Sequence, residues 1–163
     1  MALVFVGILV GSLGWHEWKN RCNEDACKDL ITLEGGCHCE KVRYRFTTPR
    51  KTKVWVCNCS ICVMKQNHHI VVNDNNFSLL NGQEALTTYT FNTRVAKHIF
   101  CKHCGVCSFY KPRSNPDGIG ITVNAVDTPK KLELEHAFFD GENWEDYYAT
   151  SAGSSIKGFS AAS

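Results

Sequence analysis

At 163 residues and 18.3 kDa the chain is long enough for one well-filled core and too short for two comfortable domains. Its 44% hydrophobic and 21% charged residues exclude a disordered or collagen-like chain, and a formal net charge of +2 gives no argument for nucleic-acid binding. The anomaly is the ten cysteines.

Residues 1–15, MALVFVGILVGSLGW, are almost wholly apolar. They resemble the core of a signal peptide but have no positive residue ahead of it, and they are short for a membrane span. A signal or membrane-associating segment, a peripheral helix and an extension without a role compete for this stretch. Residues 16–34 are mixed and polar, and Cys22 and Cys27 stand apart from any second pair, as spare thiols. Residues 1–34 are therefore read as an extension outside the domain.

From Gly35 the pattern becomes that of strands. Val42, Tyr44 and Phe46 alternate with Lys41, Arg43 and Arg45, which places apolar and cationic groups on opposite faces. Further strands are predicted at Val54–Val56, His69–Val72, Phe77–Leu80, Leu86–Phe91, His98–Phe100, Ser108–Tyr110 and Ile119–Val123. Asn81-Gly82 reads as a tight turn between two of them. No period near 3.6 residues is sustained through the middle of the chain, so the fold class is mainly β: stacked antiparallel β-sheets, with a short C-terminal helix over 142–148. The domain spans 35–148. Residues 149–163, rich in Ser, Ala and Gly, read as a flexible tail.

The cysteines fall in three clusters: Cys37-His38-Cys39, Cys57-Asn58-Cys59-Ser60-Ile61-Cys62 and Cys101-Lys102-His103-Cys104-Gly105. A single intervening residue does not readily give the geometry of a disulfide, whereas sulfurs roughly 3.8 Å apart suit a tetrahedral zinc with Zn–S bonds of about 2.3 Å. The last cluster looks like a zinc knuckle, its glycine letting the chain turn sharply. Four thiolates close a zinc site and three leave a vacancy, so seven cysteines divide into four plus three, one structural site and one reactive. Spacing alone does not fix which clusters pair. Seven thiolates and two zinc ions would move the net charge to about −1.

The ordered triple Gly35-Gly36-Cys37-His38-Cys39, Cys57-Asn58-Cys59-Ser60-Ile61-Cys62 and Phe100-Cys101-Lys102-His103-Cys104-Gly105 resembles the glutathione-dependent formaldehyde-activating enzyme family. Within it, Lys65-Gln66-Asn67, Thr87 to Thr93 and Ser108 to Pro116 are most similar to the centromere protein V type. The likeness runs from about Gly35 to Asn143. It implies stacked β-sheets, a structural zinc on Cys37, Cys39, Cys101 and Cys104, and a catalytic zinc on Cys57, Cys59 and Cys62. Cys107 is extra to the pattern and reads as a core thiol.

The resemblance implies a carbon–sulfur lyase acting on a thiol–aldehyde adduct, with a small thiol such as glutathione as substrate and formaldehyde as the carbonyl. Residues 41–56 carry six basic side chains and no acidic one, and residues 85–116 carry five and none, which would attract an anionic thiol. The competing reading makes Lys41, Arg43 and Arg45 only the wet face of a strand. Strand alternation lets one of His68 and His69 face the metal side, although a surface or core histidine is the simpler expectation. Asn58 or Ser60 would suit a hydrogen bond to a metal-bound sulfur.

The alternative function is a non-catalytic zinc module of the centromere protein V type that binds chromatin or the cytoskeleton. Against it stand eight Asp or Glu and only two Lys from Asp117 to Tyr148. Metal-type thiols need reducing surroundings, which favours an intracellular location, cytoplasmic or nuclear; the apolar N-terminus keeps a signal or membrane segment as the competing possibility.

Overall fold

In the computed structural model, which describes residues 29–160, the alternation at the start of the domain becomes an alternation of burial. Val42, Tyr44 and Phe46 are buried while Lys41 and Arg45 are exposed. Strand β1 (Leu30–Gly36) pairs antiparallel with β2 (Arg43–Pro49), which pairs with β5 (Phe77–Asn81) to make a three-stranded sheet. A five-stranded sheet takes β3 (Lys51–Cys57), β4 (His68–Asn73), β8 (Phe109–Tyr110), β9 (Gly118–Thr122) and β10 (Glu133–Phe139) in the order β10-β3-β4-β9-β8. Strands β6 (Leu86–Tyr89) and β7 (His98–Cys101) form a separate pair. The fold is mainly β, as its pattern predicts.

The five-stranded sheet is buried on both faces. Val54, Ile70 and Val72 join Tyr44 and Phe46 in the larger core, whereas their neighbours Trp55 and Val71 join Phe139 and Ile156 in a second cluster. Successive side chains on a strand point to opposite faces, so one face packs on the three-stranded sheet and the other on the C-terminal segment.

The structure departs from the sequence reading in several places. The domain begins at least five residues before Gly35, because Leu30 already pairs with Pro49 in register. The sequence pattern does not disclose strand β10, which runs parallel to β3 in an otherwise antiparallel arrangement. Its acidic residues Glu133 and Glu135 mark it as an edge strand and blur its alternation. Asn81-Gly82 does not close a hairpin: Gly82, at φ +90°, leads into a 3₁₀ turn, and β5 and β6 lie in different sheets. Short helices also form at α1 (Ser60–Lys65) and α2 (Trp144–Ala149), the latter near the predicted 142–148.

The expected flexible tail is, through Ser160, part of the fold. Helix α3 (Ser151–Ser154) and a 3₁₀ turn at Ser155–Phe159 fold back onto the sheet. Gly153 lets the chain pass against the Tyr147 carbonyl, and Ile156 enters the second core cluster. The buried Asn115 anchors this return, its Nδ2 donating to Ile156 O at 2.9 Å and to Ser160 Oγ at 2.6 Å. Composition hides this because small residues that permit close approach look the same as a linker. The apolar segment 1–15, Cys22, Cys27 and residues 161–163 lie outside the described residues. Among the described residues no helix is long and apolar enough to cross a membrane.

Candidate metal centres

The β1–β2 connection carries the first cysteine pair. Glu40 at φ +61° turns the chain, Cys37 N donates to Val42 O, and Val42 N returns a bond to Cys37 Sγ at 3.3 Å. The second pair comes from the end of β7, where Gly105 takes φ +74° and its amide closes on Cys101 O at 2.8 Å. A Cβ on Gly105 would meet nothing, so the backbone angle and not space requires glycine there. These turns bring Cys37, Cys39, Cys101 and Cys104 together with every sulfur within 4.8 Å of the others. Cys37 Sγ lies 3.5 Å from Cys39 Sγ, which lies 3.6 Å from Cys101 Sγ.

The central triplet forms a second group, its three sulfurs also within 4.8 Å of one another. Cys57 ends β3, Cys59 precedes α1 in extended geometry, and Cys62 lies one turn into that helix. Asn58, between two of them, fastens the loop after β10. Its Oδ1 accepts from Gly141 N at 2.7 Å and Glu142 N at 3.1 Å, while its Nδ2 donates to Asp140 Oδ1 at 3.2 Å. Asn58 thus holds the loop against the sulfurs, a positioning role one step removed from them.

Both groups fit a thiophilic metal such as zinc. Their sulfur separations approach the roughly 3.8 Å edge of a zinc–thiolate tetrahedron, and backbone amides point at the sulfurs, as thiolate charge demands. Burial opposes ionisation of Cys104, yet the amides of Val106 and Cys39 and the adjacent thiols bring it down to about 6. Burial also opposes it at Cys101, where the amides of Cys104 and His103 lower the balance. In the triplet, hydrogen bonds from Cys57 and Cys62, joined by the amides of Cys62 and Ile61, hold Cys59 far below the usual thiol value. Cys62 is pushed up by Cys57 and Cys59, and Cys57 by Cys59, so one thiolate forms first and the group shares its charge. Cys107 joins neither group; burial pushes its thiol up, as for a core cysteine.

The two groups differ in access. Cys57, Cys59 and Cys62 line a cavity of about 410 Å³ between the five-stranded sheet and the C-terminal segment, with Tyr110, Phe139 and Trp144 among its walls. None of the four other sulfurs lines it.

A family model described as "Glutathione-dependent formaldehyde-activating enzyme" matches residues 32–142. The chain belongs to that family. A crystal structure of a Rhodobacter sphaeroides protein, solved as a structural-genomics target, is similar at a TM-score of 0.57 and 29% identity. The match covers 66% of this chain and 100% of that one.

Set against other expectations for a family member, the cavity corrects the electrostatic one. Arg43, Arg45 and Arg50 pair with Asp127, Glu34 and Asp29, and no basic residue of 41–56 lines the cavity. The second basic stretch contributes Arg113, whose guanidinium lies 3.5 Å from the Trp144 ring centre and 2.8 Å from Glu145. Of the two adjacent histidines, His69 faces the cavity and is buried; His68 is exposed. Tyr110, His98 and Gly141 also line the cavity, and the sequence does not mark them as site residues. Only their strand and loop contexts were visible there, and what unites them is tertiary.

Proposed function

We propose that the chain is a carbon–sulfur lyase that interconverts a thiol–aldehyde adduct with its free thiol and formaldehyde, RS–CH₂OH ⇌ RSH + CH₂O. The observation that carries this reading is the contrast in access: three sulfurs line a cavity and four do not. Cys57, Cys59 and Cys62 would hold a catalytic zinc, and Cys37, Cys39, Cys101 and Cys104 a structural one. When bound at the triplet, zinc would favour the thiolate form of an incoming thiol and polarise a carbonyl oxygen.

The remaining work falls to the chain's own side chains. Phe91, Tyr110, Phe139 and Trp144 give the cavity apolar walls beside the sulfurs. Arg113, held flat on Trp144, is already paired with Glu145, so an anionic thiol such as glutathione would share or displace that carboxylate. Asn58 keeps the Asp140–Glu142 loop closed behind the sulfurs.

The test uses full-length, zinc-loaded protein with glutathione and ¹³C-formaldehyde, following exchange between free aldehyde and adduct by magnetisation transfer. Acceleration that disappears in Cys59→Ala, with one zinc retained, supports the reading. An exchange rate equal to that of the buffer rejects it.

A further inference from the structure

Tyr110 reaches His69 across an intervening strand. It sits on β8 opposite Gly120 of β9, and His69 sits on β4 opposite Thr122 of the same strand. A Cβ on Gly120 would lie 2.9 Å from Tyr110 Cδ1 and closer still to Cε1, so only glycine lets the ring lie over β9. The His98 ring stacks on Tyr110 within 4° of parallel, with centroids 5.6 Å apart. Thus fixed, the phenol places its Oη 2.8 Å from His69 Nε2.

The hydrogen positions follow from the partners. His69 Nδ1 faces the carbonyl oxygen of Asn67 at 3.4 Å, and a carbonyl can only accept. Nδ1 therefore carries the ring hydrogen, Nε2 offers a lone pair, and Tyr110 donates to it. Burial pushes His69 down to about 4 and Tyr110 well above its ordinary value, so both are neutral near pH 7. With its hydrogen committed to His69, the Tyr110 oxygen has lone pairs to spare. Tyr110 and His69 are both among the residues that line the cavity holding Cys57, Cys59 and Cys62.

We propose that Tyr110 is a catalytic residue that accepts the hydroxyl proton of the thiol–aldehyde adduct, and that His69 is the positioning residue which fixes and extends this relay. The proposal rests on the lyase reading above. In the breakdown direction the adduct O–H bond breaks and its proton passes to Tyr110 Oη as the Tyr110 proton passes to His69 Nε2, the transient imidazolium charge being offset by the thiolate charge that develops on the departing sulfur. The O–H electron pair becomes the second C–O bond, the C–S bond breaks, and its pair leaves with sulfur. The proton then returns through the same two groups to the sulfur, giving a thiol and formaldehyde with no other reactant. Such positioned proton transfer contributes typically about 10²-fold or more.

Three measurements test this on the zinc-loaded full chain. Exchange between ¹³C-formaldehyde and the glutathione adduct is expected to slow about 100-fold in Tyr110→Phe, with zinc content unchanged. S-methylglutathione, which lacks the hydroxyl, is expected to bind Tyr110→Phe as tightly as the unmodified chain; a role confined to folding would weaken that binding too. Two-bond ¹H–¹⁵N correlations of the unmodified chain are expected to show His69 protonated at Nδ1 and bare at Nε2. An Nε2-protonated His69, or a Tyr110→Phe exchange rate within about twofold of the unmodified chain, overturns the proposal. The tautomer needs no variant, so a Tyr110→Phe chain that fails to fold leaves the proposal open to refutation. An unmodified chain that does not accelerate exchange overturns the lyase reading itself, whereas an active chain indifferent to Tyr110→Phe overturns only the relay.

Discussion

Gly141 lies so close to the central cysteines that a Cβ added to it would overlap Cys57 Sγ and come within 2.7 Å of Cys59 Cβ. Backbone and cysteine side chains are the neighbours there, and neither can yield cheaply. Gly141→Ala is expected to displace the triplet and leave the separate four-sulfur group intact. Native mass spectrometry of the zinc-loaded chain should then fall from two zincs to one, while two retained zincs would refute the close-packing argument.

The two sulfur groups should respond unequally to truncation. Cys59→Ala is expected to lose one zinc and keep its fold, because the triplet lies at a cavity. Cys101→Ala should lose cooperative unfolding, since Cys101 is buried in the larger core and metal binding at such a site is folding free energy of order 10 kcal/mol. Equal behaviour of the two variants in calorimetry would contradict the division.

Asn58→Ala removes one side chain that makes three hydrogen bonds to the Asp140–Glu142 loop. Each lost partner leaves a part-buried group to find water, and a total cost of about 1–3 kcal/mol is expected. Urea unfolding measures that, and amide hydrogen exchange should show the loss concentrated at Gly141 and Glu142.

Burial holds His69 at about 4, against 6.5 for an exposed imidazole. Between these values the unfolded chain binds more protons than the folded one, so His69 adds stability that is full above pH 6.5 and falls away as the pH drops toward 4. The span corresponds to roughly 3 kcal/mol at most. Subtracting the pH dependence of His69→Gln from that of the unmodified chain cancels the thiolate contributions common to both. A difference that is flat from pH 4 to 6.5 would show His69 to be charged in the folded chain.

Ile156 occupies the second core cluster with Trp55 and Phe139, so Ile156→Ala is expected to cost about 2–5 kcal/mol. A flexible tail would lose nothing. Thermal unfolding of this variant distinguishes the two.

What could be read from the sequence followed from short-range rules. The alternation Val42, Tyr44, Phe46 is local, and so is the spacing within each cysteine cluster, and both reappear in the structure as burial and as sulfur contact. Parallel pairing of β10 with β3 joins residues about eighty positions apart, and no local period signals it. Tyr110 met His69 only through the absence of a side chain at Gly120, which a sequence presents as one glycine among twelve. The tail misled because smallness serves both a linker and tight packing. Gly153 and Ser160 are there for the second reason.

The parallel register that sets Phe139 beside Cys57 also imposes a timetable on a chain made from one end. The four-sulfur group has all its members once Cys104 has emerged from the ribosome, whereas the triplet waits for the strand ending at Phe139 and for Gly141 behind it. In that interval Cys57, Cys59 and Cys62 lack the backing that holds them in place.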